Sequence, residues 1–256
     1  MARLRRYLAQ QRELVPALDR GAVWVLISTA AILILVRSNG NVSAYNRYFG
    51  HLFADQEWRT LVPYLYWHAC SLLAYVGLPL LICRFALRVP LVETGLGLGD
   101  ARFGLRAVLL LYAGMLPFVG VATLMPVFVD KYPLSPYVAG QALALAEGTD
   151  GLWWVVASYE AGYAAYFLGW EFLFRGYLTL VLARYIGPIA VVVQVVPFAL
   201  LHVGKPQPEA LGSIVAGLAL GLLALRTRSV WWGFLLHAAI AITMDGLALL
   251  ARLARS

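Results

Sequence analysis

The chain has 256 residues, of which 62% are hydrophobic and only 13% charged. About a quarter of the residues of a soluble domain are charged, so this chain cannot coat a water-facing surface, and a soluble reading is excluded. The formal net charge of +7 does not point to nucleic acid either, because the basic residues stand at the ends of apolar runs rather than in one patch.

Arginine outnumbers lysine 18 to 2, a weak sign of a GC-rich bacterial genome. No linker, low-complexity tract or internal repeat divides the sequence, so one all-α membrane bundle is the simplest architecture. Three regions are expected within it: a basic amphipathic surface segment over 1–20, an N-terminal transmembrane region over 21–150, and a third transmembrane region over 151–252.

The first apolar run, 21–37, ends in Val36-Arg37 rather than at a small-residue cleavage site. It reads as a retained span and not as a cleaved signal peptide. A hydrocarbon core of about 30 Å needs about 20 apolar residues per helix. The remaining candidates are 61–83, 107–129, 152–175 with a possible extension to 185, 188–203, 209–225 and 230–251. Seven spans result, or eight if a further stretch crosses. A short surface helix is expected over 134–147. Cys70 and Cys83 fall in one helix, roughly 20 Å apart, and cannot pair with each other. Gly217 and Gly221 form a small-xxx-small pair suited to close helix packing.

Basic residues set the orientation. One side carries Arg3, Arg5, Arg6, Arg12, Arg20, Arg84, Arg88, Arg102, Arg106, Arg184, Arg226 and Arg228. The other has only Arg47, Arg59, Lys131, Lys205, Arg252 and Arg255. A multi-pass protein of a bacterial inner membrane is expected, with the N-terminus cytoplasmic and the C-terminus outside. Trp153, Trp154, Trp231 and Trp232 suit the interfacial aromatic belt.

A charge at the bilayer centre costs at least ~2.5–3.5 kcal/mol on insertion scales. Glu160, Glu171 and Arg175 in the fourth span, His202 closing the fifth, and His237 and Asp245 in the seventh therefore call for a reason. His68 lies near the outer end of the second. Glu171 and Arg175, spaced i, i+4, share a face and can pair. That pair alone could equally be a structural salt bridge. Glu160 returns to nearly the same face of that helix, about 16 Å away along its axis.

If Gly187-Pro188 is the turn joining the fourth and fifth spans, Glu171 and His202 stand at similar distances from it and can face each other across a hairpin. His237 lies only about 10 Å into its own helix, a depth mismatch that a tilt or a projecting turn would have to remove. An isolated membrane histidine is usually a packing residue. Two of them with a carboxylate and an arginine on three helices point to a site.

Glu171-Phe-Leu-Phe-Arg175-Gly resembles the first motif, Glu-Glu-x-x-x-Arg, of the CPBP family of CAAX-processing and bacteriocin-processing intramembrane endopeptidases. Phe198-Ala-Leu-Leu-His202 resembles its second, Phe-x-x-x-His. His237 stands where the last, His-x-x-x-Asn/Asp, begins. The resemblance covers roughly 150–246. It implies hydrolysis of a peptide bond in a membrane-anchored or lipid-modified protein or peptide, by water activated by glutamate and histidine. On it, Glu171 is the expected base, with Arg175 holding it ionised and oriented. His202 positions the same water, and His237 donates to the oxyanion.

Two positions depart from the pattern. Trp170 occupies the place of the first glutamate, and Ala241 that of the Asn/Asp. Asp245 is a possible substitute for the latter, and Glu160 and Glu209 are further auxiliary carboxylates. Glu209 could equally be a helix-start residue complementing the dipole. No cofactor is expected. Zinc held by Glu171, His202 and His237 is a lesser alternative, with no His-Glu-x-x-His present. The competing functions are a non-catalytic membrane immunity or partner-binding protein of the same fold and, less favoured because no inverted repeat is visible, a proton-coupled transporter.

Overall fold

The computed structural model describes residues 19–255; the amphipathic segment expected over 1–20 lies almost wholly outside them. Every regular element among the described residues is helical. This follows from the solvent, because a hydrocarbon core leaves backbone polar groups no partner outside their own helix.

The helices are α1 (Arg20–Asn39), α2 (Val42–Phe49), α3 (Val62–Leu87), α4 (Ala101–Ala122), α5 (Pro126–Val129), α6 (Pro136–Ala146), α7 (Trp153–Glu171), α8 (Ala190–Leu200), α9 (Gln207–Thr227) and α10 (Trp231–Leu253). Polar side chains begin several of them. The Asp19 carboxylate accepts from the amides of Gly21 and Ala22 at 2.7 and 3.0 Å. Asn41 accepts from Ala44 and Asp100 from Phe103. Each occupies an amide that a helix start would otherwise leave bare.

Because Asp100 caps α4, that helix starts six residues before the expected 107. Arg102 and Arg106 therefore lie on its first two turns rather than in a loop. The surface helix expected over 134–147 is α6.

Among the described residues, six helical runs are long and apolar enough to cross a membrane, against the seven to eight spans expected. The difference lies in the expected fourth and fifth spans, which form one run, Trp153–Leu200. Its first arm is α7, continued by a ten-residue π-helix, Phe172–Val181, and an α-turn, Ala183–Ile186. The chain reverses at Gly187, which has φ 70°. The second arm, α8, has 11 residues and so spans only about 16 Å, too short to cross by itself. Pro188 before it and the turn at Leu201–His202 after it set that length.

The two ends of the bundle are fixed by contacts. At one end Arg184 pairs with Glu93, Arg226 pairs with Asp100, and the amide of Val230 bonds to the carbonyl of Gly95. At the other end Tyr64 donates to the carbonyl of Leu134, Lys131 to that of Gly204, and Arg252 to those of Val129 and Tyr132. The buried core centres on the first arm, with Tyr159, Tyr163, Leu173, Phe174, Tyr177 and Leu178 almost fully enclosed. Gly217 and Gly221 do bring α9 tightly against α8. A Cβ on Gly217 would come within 3.1 Å of Phe198, and one on Gly221 within 2.9 Å of Val191. Gln194 donates across this interface to the carbonyl of Gly217 at 2.7 Å.

Candidate active site

Glu171 closes α7 and is fully buried. Its Oε1 accepts from Arg175 Nη1 at 3.0 Å and from His237 Nδ1 at 2.8 Å. The i, i+4 pairing expected from the sequence is present, and α10 adds the histidine. The depth mismatch expected for His237 is removed because α10 does not begin level with Gly187. A Cβ on Gly176 would lie 3.2 Å from Val230 Cγ1, so α10 starts beside Gly176, and the first arm runs on past it.

A carboxylate only accepts hydrogen bonds, so the His237 proton in this contact sits on Nδ1 and leaves Nε2 available. The second carboxylate oxygen, Oε2, points at Gly233, one turn before His237. A Cβ there would stand 2.5 Å from it. Gly233 thus makes room for the carboxylate against the backbone of α10.

Arg175 is fully buried as well, and its guanidinium carbon lies 4.2 Å from the centroid of the Phe198 ring. The ring face offers a buried cation a partner where water is excluded. Phe198 is on α8, four residues before His202, and its carbonyl lies 2.8 Å from His202 Nδ1. Since a carbonyl can only accept, this nitrogen donates, and Nε2 keeps its lone pair. Both site histidines are therefore anchored through Nδ1. The hairpin expected at Gly187-Pro188 does bring the second arm against the first: the Trp170 ring lies 5.7 Å from that of His202 and 6.3 Å from that of His237.

The auxiliary carboxylates do not join Glu171. Glu209 lies in the first turn of α9, where its carboxylate accepts from Lys205 Nζ at 2.7 Å and from the hydroxyl of Tyr132 at 2.7 and 2.8 Å. Burial, followed by the Glu209 charge, pushes the Tyr132 hydroxyl well above its ordinary range. Asp245 is buried with neither oxygen hydrogen-bonded among the described residues, and Glu160 Oε2 is likewise unpartnered. Asp245 lies within electrostatic reach of Glu160, Lys205, Arg252 and Glu209. His68 lies apart from the site, with its ring stacked 5.6 Å from that of Tyr163. Among the described residues no group of three or more His, Cys, Asp and Glu side chains is gathered to hold a metal ion.

Residues 148–243 match the family model described as Type II CAAX prenyl endopeptidase Rce1-like. Over this stretch the chain is similar to the Rce1-like family. The Rce1-like region contains Glu171, Arg175, His202 and His237 together, and it is part of a polytopic membrane protein. No curated protein and no solved structure matches the chain.

The sequence reading missed two features at the site, at Gly233 and Phe198, and one contact away from it, that of Tyr132 with Glu209. Gly233 was accessible, since it precedes His237 by one helical turn. Phe198 was visible as a motif residue but not as the seat of Arg175. Tyr132 carried no signal, because its contact with Glu209 spans 77 residues of sequence.

Proposed function

We propose that the chain is an intramembrane endopeptidase that hydrolyses a peptide bond of a membrane-anchored or lipid-modified protein or peptide. The observation that carries this reading is the fixed set Arg175–Glu171–His237, with His202 across the hairpin and both histidines tied through Nδ1.

Glu171 is enclosed on both oxygens, by Arg175 and His237 on one and by the Gly233 backbone on the other, which favours a positioning role over direct attack on water. His202 Nε2, on the ring that is not tied to Glu171, offers a basic lone pair. In this mechanism His202 takes a proton from water as the oxygen attacks the scissile carbonyl carbon. His237, held by Glu171 through Nδ1, donates from Nε2 to the developing oxyanion when its ring carries the second proton. Collapse of the tetrahedral intermediate breaks the C–N bond, and His202 passes its proton to the leaving nitrogen. No metal enters this scheme. EDTA treatment of purified protein is expected to leave cleavage unchanged, and loss with recovery on added zinc would overturn that part.

The direct test is the mass of a cleaved substrate with Glu171→Gln and His202→Ala made separately. Loss of the base in His202→Ala is expected to lower turnover by roughly 10²–10⁴-fold. Full cleavage by both variants would sink the proposal. One observation favours a second reading, a non-catalytic partner-binding or immunity protein: the buried Trp170 ring occupies the space where the family pattern has an acid. That reading predicts a cellular phenotype that survives both substitutions.

A further inference from the structure

Polar side chains reach partial exposure away from Glu171 on one side, toward Lys205 and Glu209, and are sealed on the other. Toward the end carrying Arg184 and Arg226, every residue from Phe172 to Val181 is buried. Beyond Arg175, whose Nε and Nη2 are unpartnered, the hydroxyls in that stretch are occupied locally: Thr179 donates to the carbonyl of Phe174, and the Tyr177 hydroxyl bonds to that of Ser28. This is a packed plug.

In the other direction the charged side chains at the end are partly exposed. The Glu171 side chain is 0% exposed and that of His237 16%, while those of Lys205 and Glu209 reach 22% and 23%. His202 is joined to Lys205 by two residues. Within electrostatic reach of Lys205 and Glu209 stands Asp245, buried and unpartnered. A carboxyl group left without hydrogen bonds inside protein costs ~1–3 kcal/mol by mutational measures. That cost has no packing rationale, and it is relieved where water or polar peptide groups pass. The mouth of this path lies at the end with few basic residues, whereas Arg84, Arg88, Arg184, Arg226 and Arg228 collect at the plugged end. Short loops rich in arginine stay in the cytoplasm.

We propose that the site opens at the Lys205–Glu209 end, that this end faces away from the cytoplasm, and that the substrates are membrane-anchored polypeptides whose scissile bond lies on the extracytoplasmic side. The word substrate rests on the hydrolase reading; the access path does not.

The test uses the full chain with Cys70→Ser and Cys83→Ser, carrying one new cysteine at a time, in spheroplasts of a Gram-negative host. A membrane-impermeant methanethiosulfonate is added and the mass shift is read. Lys205→Cys and Ala241→Cys, the latter on the helix face between His237 and Asp245, are expected to react in intact spheroplasts. Arg88→Cys is expected to react only after permeabilisation. Reaction of Arg88→Cys from outside would invert the orientation. An unreactive Ala241→Cys beside a reactive Lys205→Cys would close the path. Alkaline phosphatase fused after Ser256 of the otherwise unaltered chain reports the same orientation without any cysteine change. It is expected to be active, and an inactive fusion of normal abundance would count against the proposal. Labelling needs no turnover, so a reactive Ala241→Cys in a chain that cleaves nothing would leave the access path standing and remove only the hydrolase.

Discussion

At the scale of single residues, the Glu171–Arg175 ion pair is the most demanding feature of the chain, because both side chains are fully buried. Breaking such a pair from one side leaves an uncompensated buried charge and costs about 3–5 kcal/mol. Arg175→Met is therefore expected to lower thermal stability in detergent sharply. The double variant Glu171→Leu, Arg175→Met is expected to recover most of that stability while cleavage stays absent. A double variant no more stable than Arg175→Met, measured by the same melt, would show that the pair is not balanced as described.

Gly233 gives a second test at this scale. Ala there would place Cβ 2.5 Å from Glu171 Oε2, so the carboxylate or α10 must shift. Overpacking of this kind costs about 1–3 kcal/mol. Turnover is expected to fall with little change in KM, since Glu171 acts through His237. In a serine protease, removing the carboxylate that holds a catalytic histidine in its tautomer costs about 10⁴ in turnover. Glu171→Gln is expected to fall toward that limit, with partial rescue by Glu171→Asp. An unchanged rate for Glu171→Gln would leave the carboxylate a purely structural role.

At the scale of elements, the hairpin between the first arm and α8 does the positioning, and its tightness depends on α9. Gly221→Leu would drive a side chain into Val191. It is expected to cost about 1–3 kcal/mol and to reduce turnover by displacing Phe198 and His202, although neither is altered. Unchanged activity at full stability would contradict that coupling.

The hairpin was legible in the sequence because Gly187-Pro188 interrupts an otherwise unbroken apolar stretch, and Glu171 and His202 lie nearly equidistant from it. The meeting of Glu171 with Arg175 was legible from i, i+4 spacing. What was not legible depends on tertiary packing. The π-helix Phe172–Val181 has no distinct apolar period of its own, and the place where α10 begins is set by Val230 lodging beside Gly176. Tyr132 reaches Glu209 from a connecting segment whose own sequence gives no direction. Tyr132→Phe deletes a hydrogen bond to a charged acceptor, worth about 1.5–3 kcal/mol, and the thermal melt is expected to shift accordingly. A melt equal to that of the unaltered chain would show that Lys205 alone holds Glu209.

At the scale of the whole molecule, the six apolar helical runs among the described residues form a scaffold around a few polar residues that a bilayer would otherwise disfavour. The scarcity of charge that excluded a soluble protein is what makes those residues conspicuous. The central claim is that this interior hydrolyses a peptide bond. It is tested most directly by profiling the termini of membrane proteins in cells carrying the unaltered chain or the Glu171→Gln, His202→Ala double variant, after lysis and incubation of the membranes in ¹⁸O-labelled water. The expected result is a truncated form of at least one membrane-anchored polypeptide, present only with the unaltered chain, whose new carboxyl group carries the heavy oxygen. Identical terminus profiles in the two samples, at equal protein abundance, would contradict the claim.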